Sequence, residues 1–310
     1  MSRDAKRGKW FDWPAYVALR VVICLLQAMS LRQCQRLARG LALLTVDVLK
    51  IRGRVVDENL QYAFPKCSAA QRRRLALAMW EHLLLMVAEI AHVRRKIHIT
   101  NWHRYIRFHR DDEMVRYLLE DRPVVLVSGH FGNFELASYM LGMFGFATYA
   151  VARPLDNRYV DRFLHSFRGA TGQYMLPKDD VATTISRLLS EGASLGVLGD
   201  QHASGKLGCW VDFFGRPAAT HKAIALFSLS HGAPLIVSYA RRIGPPLCYE
   251  SGLWDAVDPA DADFSLGSVP ELTQWYTHRL EDLIRQAPGQ YWWLHRRWKG
   301  KPPARQRRAA

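Results

Sequence analysis

Several sequence signatures of common enzyme classes are missing from this 310-residue chain. We find no Gly-x-Ser-x-Gly nucleophile elbow at the end of a predicted strand, which argues against a serine hydrolase. Neither a Walker loop nor a Gly-x-Gly-x-x-Gly motif is present, so the sequence gives no support for a nucleotide cofactor. Any reaction catalysed by this chain must therefore proceed without these devices.

Cysteine is scarce and scattered, with five residues and no Cys-x-x-Cys pair. This usage indicates reduced, mostly buried thiols in a protein that faces the cytosol. His202, Cys209 and His221 could suggest a metal cluster, but their spacing fits no zinc pattern. We expect neither a metal ion nor another cofactor.

The sequence also lacks a long uninterrupted hydrophobic run. The apolar segment 15–29 carries Arg20 and Gln27, and it is shorter than the roughly 20 residues of a perpendicular membrane span. A second apolar stretch, 37–49, is interrupted as well, and no signal-peptidase site follows the first. Both segments could lie in a membrane interface, with nearby arginines meeting phosphates. Two ordinary core helices and a single tilted span are the alternatives.

Acidic residues are few relative to basic ones: 43 Lys and Arg stand against 28 Asp and Glu, a formal net charge of +15. Such a chain should be attracted to polyanions. Nucleic acid, anionic lipid headgroups, phosphorylated substrates and an acidic protein are all candidates, and charge alone does not choose among them.

The pattern of apolar residues changes along the chain. Long helices are predicted up to residue 96, whereas short β-rich runs alternate with helical patterns from residue 122 onward. This alternation predicts an α/β fold with a central, mostly parallel sheet flanked by helices and an N-terminal helical, membrane-associating segment. We predict three regions: the N-terminal segment 1–62, an α/β domain 63–300 and a basic tail 301–310.

A histidine and a carboxylate follow the first predicted strand of the α/β region. His130 stands in a Gly-rich loop after the strand 123–128, and Glu135 falls in the first turn of the next helix. Ligands gather at the carboxyl ends of strands in open α/β sheets. The carboxylate could orient the imidazole, which would leave the other ring nitrogen free as a general base. Loop N–H groups and Asn133 could then bind an oxyanion.

Two more polar residues, Asp200 and Gln201, follow the third predicted strand, 194–198, again at a carboxyl end. We therefore place them at the rim of the same site. A structural histidine paired with a helix N-terminal acid is the alternative interpretation of this loop.

The His-x4-Glu spacing resembles the signature of the glycerolipid acyltransferase superfamily. The wider sequence resembles one branch of it, the late acyltransferases of lipid A biosynthesis. Six segments in the same order carry this resemblance: NL and AFP at 59–65, SGHFGNFELA at 128–137, RPLDN at 153–157, DQ and VDFFG at 200–215, GAP at 232–234, and QYWWLHRRWK at 290–299.

The resemblance implies an enzyme that moves a fatty acyl chain from a thioester donor to a hydroxyl of a lipid A precursor. It implies His130 as general base and Glu135 as its partner. Arg153 and Arg168 become candidates to hold a phosphate or the phosphopantetheine of the donor, since guanidinium groups suit phosphate. The family's usual donor is acyl carrier protein, and lipopolysaccharide synthesis places such an enzyme on the cytoplasmic face of a Gram-negative inner membrane.

Two alternatives remain at this stage. One is an acyltransferase for another glycolipid or phospholipid that uses acyl-CoA. The other is a basic membrane- or nucleic-acid-binding protein, because the aromatic and basic run 291–299 also suits base stacking. No nucleic-acid-binding motif accompanies that run, so we interpret it as a membrane-interface segment and expect no nucleic-acid partner. Acyl-chain length, the exact acceptor hydroxyl and the oligomeric state are left open.

Overall fold

The computed structural model describes residues 3–151, 155–176, 180–203 and 205–302, with the backbone alone for residues 3–9. The helices are α1 (Arg3–Ala28), α2 (Leu31–Leu43), α3 (Gly53–Ala63), α4 (Ala69–Lys96), α5 (Asp111–Leu119), α6 (Phe134–Met143), α7 (Arg158–Gly169), α8 (Val181–Ser190), α9 (Ala223–His231) and α10 (Val269–Gln286). The strands are β1 (Ile106–His109), β2 (Val124–Ser128), β3 (Thr148–Val151), β4 (Gln173–Leu176), β5 (Ser194–Leu198), β6 (Gly208–Phe213), β7 (Arg216–His221), β8 (Leu235–Arg242) and β9 (Tyr249–Val257).

Seven strands form the central sheet in the order β1-β9-β8-β2-β5-β3-β4. All neighbouring pairs are parallel except β8 and β9, which are antiparallel. β6 and β7 form a separate antiparallel hairpin. The predicted α/β class with a mostly parallel sheet is therefore confirmed.

The two faces of the sheet bury different sets of side chains, as expected for strands covered on both sides. Val125 and Val127 face the main core, which includes residues of α3, α4, α8, α9 and α10. Val124 and Leu126 point the other way, toward Met114 of α5. Successive residues of a strand alternate between faces, so β2 contributes to both cores.

The N-terminal helices rest on this α/β unit. Val56 of α3 belongs to the main core, and Cys34 of α2 packs with Leu85 of α4. Within the part of the chain described, two helical stretches have the length and apolar composition of a membrane span, Trp10–Ala28 and Ala69–Lys96. Of the apolar window in the second stretch, 56% is buried inside the protein, whereas no part of the window in the first is fully buried. The tilted span therefore stays open, and the three-region division of the chain stays a prediction.

Some elements were not predicted from the sequence. β1, α5, β4 and the β6–β7 hairpin were missed, and Thr220 lies in β7 rather than in a helix. The hairpin strands are half-buried and lack a long apolar run, which explains the omission. The letters Gly-x-Ser-x-Gly do occur at 192–196, but Ser194 is the first residue of β5 and not a strand-to-helix turn.

Candidate active site

The parallel register of β2 and β5 brings a histidine and an aspartate together. Ser128 pairs with Leu198 at the carboxyl ends of the two strands. The backbone N–H of Gly199 donates to the carbonyl of Ser128 at 2.8 Å, which extends the pairing by one step. His130 and Asp200 each follow two residues beyond this pair, and they meet at the edge of the sheet.

Asp200 binds His130 at two points. One carboxylate oxygen accepts from the backbone N–H of His130 at 2.8 Å, and the other lies 2.8 Å from Nδ1 of the ring. The Asp200 side chain is fully buried, whereas 11% of the His130 side chain is exposed. A carboxylate at Nδ1 fixes the proton there and leaves the lone pair on Nε2. Nε2 lies 3.1 Å from the amide nitrogen of Gln201.

The electrostatics of this pair follow from its burial. Burial alone would lower the pKa of His130, but the charges of Asp200 and Glu135 outweigh it and raise that pKa above its ordinary value. Burial would raise the pKa of Asp200, yet the contacts with His130 lower it to about 2. Asp200 therefore remains ionised, and His130 is a stronger base than free imidazole.

Contacts around Gly132 fix the loop that carries His130. Gly132 has a φ of +58°, and a Cβ at this position would come within 1.9 Å of the carbonyl oxygen of Ala240. The position therefore requires glycine. Nε2 of the buried His82 lies 3.0 Å from the carbonyl oxygen of Gly132, and the N–H of Gly132 donates to Gln290.

Asn133 does not take the oxyanion-binding position expected from the sequence. Its side chain is completely buried, and its oxygen accepts from the N–H of Leu136 at 3.0 Å as the cap of α6. Its amide nitrogen faces the hydroxyl of Tyr249. Asn133 is therefore a structural residue because both ends of the amide are engaged inside the fold.

Glu135 also differs from the expected arrangement. Its two carboxylate oxygens accept from the guanidinium of Arg168 on α7, with Nε at 3.0 Å. The partner of His130 at Nδ1 is thus Asp200, which corrects the expectation that Glu135 fills this place. Glu135 remains near enough for its charge to act on His130. Arg153, the other predicted phosphate ligand, lies outside the described residues.

The C-terminal aromatic run closes the site, which corrects its interpretation as a membrane-interface segment. The Trp292 ring lies 5.0 Å from the His130 ring at 31°, and its backbone N–H donates to the His130 carbonyl. Tyr291 is 3% exposed, and its hydroxyl hydrogen-bonds the Asp200 carboxylate. Trp293 is equally inaccessible. These rings are part of the core because they complete the wall behind the histidine.

Comparison with known proteins identifies the family of this chain. The family model described as bacterial lipid A biosynthesis acyltransferase matches residues 5–300. The chain belongs to this family. It is accordingly an acyltransferase, and His130 lies within the matched residues.

Individual relatives are distant but align along most of the acyltransferase. The chain is 27% identical over 299 residues to the lipid A biosynthesis lauroyltransferase of Escherichia coli (strain K12), covering 94% of this chain and 92% of the relative. It is 24% identical over 273 residues to the lipid A biosynthesis palmitoleoyltransferase of the same organism, covering 82% and 81%. The crystal structure of the 1-acyl-sn-glycerophosphate acyltransferase from Thermotoga maritima superposes with a TM-score of 0.39 and 12% identity, covering 85% of this chain and all of that one.

Two cavities of the acyltransferase lie against α6. The first, about 120 Å³, is lined by Glu135 and Arg168 and by Phe134, whose ring lies 5.2 Å from that of His130. The second, about 290 Å³, is mainly apolar and lies against α5. The two cavities share three lining residues, Ala137, Leu141 and Ser238. They therefore form two adjoining chambers, and Phe134 separates the first of them from the imidazole.

Sequence reasoning brought His130, Asp200 and Gln201 to one place but missed His295. This residue lies three positions after Trp292, and its Nε2 is 2.9 Å from the amide nitrogen of Gln201. The signal was present in the polar residues of the C-terminal run. It was overlooked because the tryptophans suggested a membrane interface.

Proposed function

We propose that this acyltransferase moves a fatty acyl chain from a thioester, carried by acyl carrier protein, to a hydroxyl of a phosphorylated lipid A precursor. The observation that carries the proposal is the pair of His130 and Asp200 beside an apolar cavity. A base with a fixed Nδ1–H and an available Nε2 suits deprotonation of a hydroxyl. The apolar cavity suits a hydrocarbon chain.

The proposed reaction has a simple proton balance. As the acceptor oxygen attacks the thioester carbonyl, its proton passes to Nε2 of His130. The C–O bond forms, a tetrahedral oxyanion collapses, and the C–S bond breaks. The imidazolium then returns the proton to the departing thiolate. Asp200 stabilises the imidazolium throughout because it remains ionised beside Nδ1.

Glu135 and Arg168 line the first cavity, which adjoins the apolar chamber proposed for the chain. In this proposal they align the reacting group, and Arg168 offers guanidinium hydrogen atoms to a phosphate of either substrate. Arg153 is proposed for the same task from the sequence alone. An acidic carrier protein would be attracted to a chain with a net charge of +15.

We further propose that α1 attaches the protein to the cytoplasmic face of the inner membrane, where a lipid acceptor is found. Trp10, Trp13 and Leu25 are 84%, 58% and 61% exposed, which suits an apolar environment better than water. The same helix could lie in the interface or cross it.

The decisive experiment is an acyl-transfer assay read by product mass. Purified protein is incubated with acyl carrier protein thioesters or acyl-CoA and with a phosphorylated, acylated disaccharide lipid. We expect a product heavier by one acyl chain with wild type and none with His130→Ala. His231→Gln is the matched control, because His231 bonds Ser186 away from the site. Transfer from acyl-CoA alone, or only to a glycerophospholipid, would replace the donor or acceptor named here. Full turnover by His130→Ala would refute the base.

A further inference from the structure

Gln201 lies between two imidazole rings. Its amide nitrogen is 3.1 Å from Nε2 of His130 and 2.9 Å from Nε2 of His295. The ring centroids of the two histidines are 5.2 Å apart. A carboxamide nitrogen carries two hydrogen atoms. One nitrogen can therefore donate to both rings at once, provided that each Nε2 carries a lone pair.

Both histidines are held in place by contacts other than those with Gln201. His130 is fixed by the Asp200 carboxylate. The backbone of His295 is fixed through its carbonyl oxygen, which accepts from the side chain of Asn59 and from the N–H of Arg297. The position of the amide is thus set by two fixed acceptors. It covers the one atom of His130 that the proposed reaction requires to be free.

We propose that Gln201 is a positioning residue that orients the acceptor hydroxyl, and that His295 holds its amide in place for this task. The proposal rests on the function proposed above. When the acceptor arrives, its O–H donates to Nε2 of His130 and displaces one N–H of Gln201. That N–H turns to the acceptor oxygen, while the second N–H stays on His295. The attacking hydroxyl is then held by two hydrogen bonds: it donates one to Nε2 of His130 and accepts the other from the amide of Gln201.

The same contact protects the donor before the acceptor binds. A free Nε2 beside a bound thioester would activate water as readily as an alcohol, and the acyl chain would be lost as a fatty acid. With the amide of Gln201 on Nε2, water must first displace a hydrogen bond that His295 supports. The arrangement therefore favours transfer over hydrolysis.

The test separates these two reactions. Wild type and Gln201→Ala are incubated with acyl carrier protein thioester, with and without the disaccharide lipid, and both ester product and free fatty acid are measured. We expect transfer to fall about tenfold, as for the loss of one well-placed hydrogen bond, and the ratio of hydrolysis to transfer to rise by at least the same factor. His295→Ala should act in the same direction. His295→Gln should retain most of the transfer that His295→Ala loses, because the new amide oxygen can accept from Gln201.

A merely structural role would lower both reactions together and leave their ratio unchanged, and that result would overturn the proposal. A measurement without turnover separates this failure from failure of the proposed function. In long-range ¹H–¹⁵N spectra of the histidines, Gln201→Ala should shift the Nε2 signals of both His130 and His295. Unchanged signals would overturn the contact itself. Shifted signals in a protein that transfers no acyl chain would support the contact and count against the proposed reaction.

Discussion

His130 and Asp200 occupy equivalent positions after neighbouring parallel strands, each two residues beyond the paired Ser128 and Leu198. The pair is therefore set by the register of the sheet and not by a flexible loop. A catalytic pair held by regular structure keeps its geometry when the surroundings are altered. Single substitutions can therefore test what each residue of the pair contributes.

Asp200→Asn should lower the transfer rate by a factor on the order of 10²–10⁴, the range for loss of general-base function. The amide removes the charge that stabilises imidazolium and the fixed Nδ1–H. Wild-type activity should rise with pH through a pKa above 6.5, because that of His130 is raised and the neutral ring is the base. In the variant this rise in activity should move to lower pH. Burial still lowers the pKa of His130, but the charge of Asp200, which raises it most, is gone.

The control for this substitution is Asp258→Asn. Asp258 is also buried, and it pairs with Arg122 at 2.7 Å away from the site. The Asp258→Asn variant should be less stable than wild type but should keep the wild-type pH dependence of acyl transfer. An unshifted profile for Asp200→Asn, with transfer retained, would show that Asp200 does not act on the base.

The sequence predicted the fold class and most strand positions because buried parallel strands are continuous apolar runs, as at 124–128. It placed Asp200 and Gln201 at the site because both follow a strand end. It named Glu135 as the partner of His130, whereas the structure places Asp200 there, because the correct choice depends on strand order. The sequence does not state that β5 lies beside β2.

Glu135 and Arg168 should act as one unit, because they form an ion pair in the lining of the first cavity. Glu135→Ala and Arg168→Ala should each reduce transfer about tenfold or more, and the double variant should lose little beyond either alone. This double-mutant cycle is measured from the transfer rates and the Michaelis constants for donor and acceptor. The control cycle uses Arg279 and Asp255, a more exposed pair at 2.7 Å. Additive losses at Glu135 and Arg168 would mean that the two residues serve separate steps.

Ala137 should influence which acyl chains are accepted, because it lines both chambers. Ala137→Leu would place extra carbon atoms between the two chambers, and we expect the preferred chain to become shorter. A methylene that no longer fits changes selectivity by about 10–200-fold. Competition between thioesters of different lengths, read by product mass, measures the effect. Ala70→Leu, on an exposed position of α4, should leave the preference unchanged. If Ala137→Leu and Ala70→Leu prefer acyl chains of the same length, the acyl chain binds outside these two chambers.

The exposed apolar face of α1 should govern recovery with membranes. Val21→Glu with Leu25→Glu should move the protein toward the soluble fraction, because an acidic side chain in hydrocarbon is costly, by roughly 2–4 kcal/mol. Both residues are more than half exposed, at 51% and 61%, so the melting temperature should not change. Leu119→Glu, at a position 71% exposed on α5, is the control. Equal membrane recovery of all variants would assign attachment to another part of the chain.

His82 should make the fold sensitive to mild acid. Nδ1 of His82 lies 2.8 Å from the guanidinium of Arg242, and that guanidinium pairs with the buried Glu89. Arginine can only donate, so Nδ1 accepts, and Nε2–H donates to the carbonyl of Gly132. Burial and the charge of Arg242 lower the pKa of His82 to about 3. The native protein therefore holds this ring neutral at pH values where the unfolded chain binds a proton.

The sign of the effect follows from that proton. Because the unfolded state binds more protons between the folded pKa of about 3 and the ordinary value of 6.5, His82 stabilises the native state fully above pH 6.5. This contribution falls by up to about 1.4 kcal/mol per pH unit on acidification. His82→Gln can accept from Arg242 and donate to Gly132 without titrating. Urea unfolding from pH 7 down to pH 4 should give a flatter free-energy profile for the variant. Parallel profiles would mean that His82 is protonated in the native protein, and the support of the His130 loop would then need a different hydrogen-bond assignment.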